Sequence, residues 1–269
     1  MRNTGQRRGS HPRQQSDVLT PPYAFGASVI GPLHVQRALS CQDACAYAIH
    51  PVGLGIVAVA DGLGSAANSQ VGARAAVNAA ISAGTDVDTP VVDGGADLSA
   101  IARSAVVSAR RAIEELARLE RCEMRDLACT VIALATLENR VAVAHIGDGA
   151  VVGLSDADLI LVSGPGDSEY TNEVVPVTAD EWLVALRVTQ PLRADCFAVF
   201  TDGCQRAGLR NTNGELTPYD RFFLPVFSYA KELRSVREGE AEIVDLLLSD
   251  KVCNNSDDDK TLVIGVLKR

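Results

Sequence analysis

The chain has 269 residues, 47% of them apolar and 22% charged, which is ordinary for a soluble globular protein with a sizeable core. Its net charge of −9 leaves no basic surplus to neutralise phosphates, so general nucleic-acid binding and binding to an anionic membrane are excluded as main roles. No stretch reaches the ~18 consecutive apolar residues of a membrane span, and the seven scattered cysteines do not form a disulfide or zinc-site pattern. They are expected to be small core residues in a reducing cytoplasm.

In chain order, residues 1–16 are rich in Arg, Gln, Ser and Gly and predict a disordered basic tail, with the globular domain over 17–269. Apolar runs at 23–30, 44–50 and 54–60 are bounded by Gly or Pro as strands are. An alanine-rich helix is predicted over 68–80, capped by Asn68 or Ser69, then a loop over 85–97 and an amphipathic helix over 98–121. Strands are expected at 127–137, 140–147, 150–154 and 158–162, spaced as an antiparallel meander. A loop at 163–173 leads to strand-like stretches at 181–189 and 196–201, helices at 219–234 and 239–249, and a last strand at 261–267. Helices come in pairs between groups of strands, which predicts antiparallel sheets covered by helices, an α+β arrangement.

Three apolar runs end in aspartate and glycine: Val59-Ala60-Asp61-Gly62, Ile146-Gly147-Asp148-Gly149 and Thr201-Asp202-Gly203. A fourth acidic group, Asp257-Asp258-Asp259, precedes the final strand. Carboxylates at the ends of buried strands need a partner or a cation. Several such ends converging on one pocket would form an oxygen-rich site suited to Mg²⁺ or Mn²⁺. Taken singly, the Asp61 segment divides evenly between a cation ligand and a strand-to-helix turn, and the Asp148 segment reads better as a hairpin turn. Asp202-Gly203 could likewise be a turn, and Asp257–Asp259 reads as a solvated charge run.

Their order resembles the PPM family, the type 2C metal-dependent protein serine/threonine phosphatases. Val59-Ala60-Asp61-Gly62-Leu63-Gly64 resembles the family's "VADGMGG", Cys129-Thr130 its "GTT", and His145-Ile146-Gly147-Asp148-Gly149 its "xxGDSR". Phe200-Thr201-Asp202-Gly203 resembles "xSDGL", Cys41-Gln42-Asp43-Ala44 resembles "NQDA", and Asp258-Asp259-Lys260-Thr261 resembles "DNxT", with Asp259 in place of the asparagine. Gly31-Pro32-Leu33-His34 and Glu169-Tyr170-Thr171-Asn172-Glu173 are similar to a divergent bacterial branch.

The resemblance implies a four-layer αββα sandwich and hydrolysis of phosphoserine or phosphothreonine by a water activated between two Mg²⁺ or Mn²⁺ ions. Asp61 would bridge the ions, the Gly62 carbonyl would bind one, Asp202 and Asp258 would complete the other site, and Asp148 would help hold an optional third. Gln42 and Asp43 would act through waters on the ions. The phosphate-binding arginine of the family falls at Ala38, so Arg37 is its expected stand-in, with His34 a second candidate for the phosphate. Leu63 occupies the place of a histidine proposed elsewhere in the family as general acid. The implied partners are a phosphorylated protein and a serine/threonine kinase or its targets, and residues 163–180 would form a flap beside the pocket. Two other readings stay open on the sequence: a non-catalytic phosphatase-like module that binds or regulates a phosphoprotein, and a hydrolase of small phosphorylated molecules.

Overall fold

The computed structural model describes residues 18–50, 53–85, 97–165 and 174–268. The expected tail at 1–16, most of the 85–97 loop and the middle of the 163–180 flap lie outside the described residues.

The described chain opens with strand β1 (Tyr23–Val29), a short helix α1 (Pro32–Gln36), and strands β2 (Ala44–Ile49) and β3 (Gly55–Ala60). Helices α2 (Ser69–Thr85) and α3 (Leu98–Glu120) follow, then the meander β4 (Val131–Leu137), β5 (Arg140–Ile146), β6 (Ala150–Ser155) and β7 (Asp158–Ser163). One turn of helix, α4 (Trp182–Ala185), precedes the two-residue strands β8 (Arg187–Val188) and β9 (Leu192–Arg193) and the longer β10 (Cys196–Phe200). Next come α5 (Gln205–Gly208) and a hairpin of β11 (Leu209–Thr212) and β12 (Glu215–Pro218). Helices α6 (Asp220–Lys231), α7 (Val236–Leu248) and α8 (Asp250–Cys253) lead to the last strand, β13 (Lys260–Val266).

Two antiparallel sheets result, ordered β1-β13-β10-β6-β7 and β2-β3-β4-β5-β8, with β9 also pairing β5. They stack face to face, and residue size decides how each face is covered. Val57, Val59, Ile132, Leu134, Val143, Phe197, Val199 and Val263 fill the space between the sheets. On its outer face the second sheet presents Ala58, Ala60, Ala133, Ala135, Ala142 and Ala144 to α2 and α3, whose inner faces are also alanine-rich. The first sheet meets α6 and α7 through larger groups, among them Phe25, Phe200, Phe223 and Phe227. All six β3 residues are buried because both faces of that strand are covered. The order of layers is therefore helix, sheet, sheet, helix, as the resemblance implies.

Asp97 caps α3 by accepting the Ala100 N–H at 3.1 Å, and Ser235 caps α7 by accepting that of Glu238 at 3.1 Å. At α2 the Asn68 carbonyl accepts the Val71 and Gly72 N–H groups, so Asn68 holds the cap position. The Ser69 hydroxyl is buried without a partner.

Several stretches differ from the sequence-based expectation, the short helix α1 among them. Residues 181–189 form the turn α4 and only a two-residue strand. Trp182 lies under Arg110 of α3, 5.3 Å from its guanidinium, while Leu183 and Val184 are left in solvent. The 127–137 run begins as a 3₁₀ turn, Met124–Leu127, and becomes strand only at Val131. The hairpin at 209–218 was not expected, although Asn213-Gly214, both with positive φ, is its turn signature.

Candidate active site

The ends of four strands meet at one edge of the sandwich. Asp61 follows β3, Asp148 lies between β5 and β6, Asp202 follows β10, and Asp258 stands before β13. Antiparallel pairing runs β3, β4 and β5 side by side, and β10 lies between β13 and β6, so all four aspartates reach the same edge. Carboxylate oxygens of Asp61, Asp148 and Asp202 lie within 4.8 Å of one another. These three, with Asp258, Gly62, Gln42, His34, Arg37, Leu63 and Thr130, line a cavity of about 330 Å³.

Backbone contacts fix Asp61 and Asp148. Thr130 grips Asp61 from both sides: its Oγ1 accepts the Asp61 N–H at 3.0 Å, and its own N–H donates to the Asp61 carbonyl at 2.8 Å. Gly147, at φ +115°, crosses so close to Thr130 that a Cβ would stand 2.5 Å from that side chain, which explains glycine before Asp148. Arg187 donates to the Gly147 carbonyl at 2.8 Å and the Gly164 carbonyl at 3.1 Å, and Gln205 donates to the Asp148 carbonyl. Beneath the cavity Asp43 is buried and accepts the hydroxyls of Thr201 and Thr261, each at 2.8 Å.

These carboxylates strain against one another. Burial, then the charges of Asp43 and Asp202, push Asp61 well above the usual carboxylate range. Asp61 and Asp202 are within hydrogen-bonding contact, and burial also raises Asp202. Burial and the neighbouring Asp202 charge lift Asp148 to about 6. Asp43 rises to about 7 through burial, against the pull of its two threonine hydroxyls. Asp202 Oδ1 is buried with no hydrogen-bond partner. A cluster of carboxylates that repel one another, with a buried oxygen unsatisfied, is a donor set that divalent cations fit.

This clustering predicts an unusual pH profile. Folded-state pKa values above the unfolded value of about 3.9 mean that the native chain holds more protons between those limits. Its stability therefore falls as pH rises from about 4 through about 7. Thermal unfolding in EDTA should give a higher melting temperature at pH 5 than at pH 7.5, and Mn²⁺ should flatten the difference. A metal-free melting temperature that rises over this range would contradict the assignment.

Arg37 closes α1 and lines the cavity, whereas Ala38 turns away in the left-handed region at φ 55°. The residue at the expected register is thus a turn, and its neighbour faces the pocket. His34 is buried on α1 with Nδ1 2.9 Å from Asp259 Oδ2. Asp258 is exposed and its side chain reaches the cavity. His145 is not among the cavity-lining residues: it is buried with its Nδ1 2.8 Å from Ser163 Oγ.

Three contributors escaped sequence reasoning. Thr130 was matched as a motif without a role, Lys260 is fully buried and donates from Nζ to the Asp258 carbonyl at 2.7 Å, and Asp259 lies buried behind the cavity. Lysine in an acidic run before a strand was the available signal for the second.

The family model of protein phosphatase 2C matches residues 30–247. The chain belongs to the protein phosphatase 2C family. As a member it is an enzyme of the protein-phosphatase class. It is 32% identical over 248 residues to serine/threonine-protein phosphatase 3 of Escherichia coli K12, covering 89% of this chain and 96% of that one. Among solved structures it resembles the catalytic domain of the serine/threonine phosphatase PstP in complex with two manganese ions, with TM-score 0.60, 19% identity, and coverage of 91% and 97%. It also resembles Stp1 of Staphylococcus aureus, with TM-score 0.63, 12% identity, and coverage of 97% and 100%. These likenesses establish the sandwich as that of the protein phosphatase 2C fold. Among the described residues no helix is long and apolar enough to cross a membrane, and all seven cysteines are free.

Proposed function

We propose that this protein phosphatase 2C member hydrolyses phosphoserine and phosphothreonine in proteins at a centre of two Mg²⁺ or Mn²⁺ ions. The carrying observation is the convergence of Asp61, Asp148 and Asp202 within 4.8 Å, with Asp202 Oδ1 buried and unpartnered. Asp61, the Gly62 carbonyl, Asp202 and Asp258 would hold two ions, and Asp148 with Asp202 a third. Bound there, the cations supply Lewis-acid charge to the phosphoryl oxygens and activate a water for in-line attack on phosphorus.

The chain's own groups divide the remaining work. Arg37 at the rim offers a planar fork for two phosphoryl oxygens, and His34 faces the same cavity. Gln42 presents a buried, unpartnered Oε1 to the pocket, suited to orienting a water, while Asp43 below is held by Thr201 and Thr261. Leu63 has no proton to give, so the leaving alkoxide takes its proton from water in the cavity. The open, polar cavity suits a side chain presented by a protein surface, which favours a phosphoprotein, such as a serine/threonine kinase or its targets, as partner.

The test is hydrolysis of phosphoserine and phosphothreonine peptides and of p-nitrophenyl phosphate by wild type, Asp202→Ala and Arg37→Ala. Wild type should turn over peptides only with Mn²⁺ or Mg²⁺, and Asp202→Ala should be inactive. Arg37→Ala should raise KM about tenfold, the cost of a charge-assisted hydrogen bond. Turnover that survives chelation would sink the metal centre, and an unchanged KM in Arg37→Ala would move phosphate recognition elsewhere.

A further inference from the structure

Asp259 stands where the family's asparagine is expected, and its surroundings require a carboxylate. It is 2% exposed. Its Oδ1 accepts the Gly31 N–H at 2.7 Å, and its Oδ2 accepts the Gln42 N–H at 2.6 Å. His34 Nδ1 stands 2.9 Å from the same Oδ2, a charge contact by distance whose geometry does not meet hydrogen-bond alignment. The nitrogens at hydrogen-bonding distance on these two oxygens all belong to the segment 31–42, and the Cys41 thiol of the same segment also contacts this carboxylate. An asparagine has one acceptor oxygen; its NH₂ would face either the Gly31 or the Gln42 N–H and leave a buried donor unmet.

Among the described residues, that segment carries the basic side chains that line the cavity, His34 and Arg37, together with Gln42. Leu33 N–H donates to the Asp257 carbonyl at 3.0 Å, and the Gln42 carbonyl accepts the Gly62 N–H at 3.2 Å. Asp259 therefore ties both ends of the segment to the turn that presents Asp258, while Asp61 has its own backbone attachments to Thr130.

We infer that Asp259 is a positioning residue that holds His34 and the 31–42 segment in register with the acidic cluster, and so sets the grip on the phosphoryl group. The inference rests on the phosphatase reading but acts on phosphate binding rather than on the cations. Asp259 lies behind the cavity and does not line it.

Asp259→Asn, His34→Ala and the double variant test it in the full chain with Mn²⁺. Three quantities are measured: kcat and KM for a phosphoserine peptide, the Kd of inorganic phosphate by calorimetry, and the Kd of Mn²⁺. Asp259→Asn should raise KM and the phosphate Kd about tenfold, as expected for one lost charge-assisted bond, with kcat and the Mn²⁺ Kd changed less than about twofold. His34→Ala should weaken phosphate similarly, and the double variant should lose less than the product of the two. A lower kcat and weaker Mn²⁺ binding with an unchanged phosphate Kd would overturn the inference, as would full additivity. If Asp259→Asn does not fold, His34→Ala decides alone: it leaves the Gly31 and Gln42 bonds in place, and an unchanged phosphate Kd there overturns the inference. A wild-type chain that binds phosphate yet hydrolyses no phosphopeptide would sink the proposed function and leave this assignment standing; one that binds no phosphate would sink both.

Discussion

Asp61→Asn should abolish metal-dependent turnover, lowering kcat/KM by on the order of 10³ or more, while making the metal-free chain more stable. Both effects have one origin. Asp61 is held in the cluster by Thr130, is raised strongly by burial, and contacts Asp202. Without cations that arrangement is repulsive, and a neutral amide relieves it. With cations bound, the same carboxylate would be a ligand of the proposed centre, which an amide would not replace at equal affinity. Thermal unfolding in EDTA and peptide hydrolysis in Mn²⁺ read the two effects separately. A variant that loses activity together with metal-free stability would show Asp61 to be structural instead.

The second large effect concerns the space between the sheets. Gly265 of β13 lies directly under the ring of Phe197 on β10, and a Cβ there would come within 2.0 Å of it. Phe197 is fully buried in the inter-sheet core. Phe197→Ala should cost about 3–5 kcal/mol through lost burial and the cavity left behind. Gly265→Ala should cost about 1–3 kcal/mol or more, since neither strand can move without disturbing its neighbours. The two residues share one volume, so the double variant should lose much less than the sum. Denaturant unfolding measures all three, and additive losses would contradict the packing. Because Asp202 follows β10 and Asp258 precedes β13, Mn²⁺ affinity should fall with stability in the single variants.

Much of this was legible in the sequence for a simple reason. Strands buried on both faces have no reason to carry charge, so Asp61, Asp148 and Asp202 stood out against Val57, Val143 and Val199. Lone aspartates were ambiguous, and only their common edge in the fold makes them a cluster. The helix α1 was not expected because five residues beginning with proline carry too little periodicity to register. Its existence nevertheless turns Arg37 rather than Ala38 toward the cavity, which favours the proposed role of Arg37. Asp259 was hidden differently. An acidic triplet reads as a solvated charge run, and nothing local reveals that the third member is buried against backbone donors more than two hundred residues earlier. Thr201 and Thr261 were likewise ordinary strand residues until the fold placed both hydroxyls on Asp43.

The central claim is that the strand-end aspartates form a cation centre on which phosphoester hydrolysis depends. The most direct measurement titrates Mn²⁺ into the chelator-stripped chain while bound ions per chain and phosphoserine-peptide turnover are followed together. The account predicts no turnover without metal and activity rising in step with occupancy of two ions, with both lost in Asp202→Ala. Hydrolysis at zero occupancy, or two ions bound as tightly by Asp202→Ala as by wild type, would contradict it.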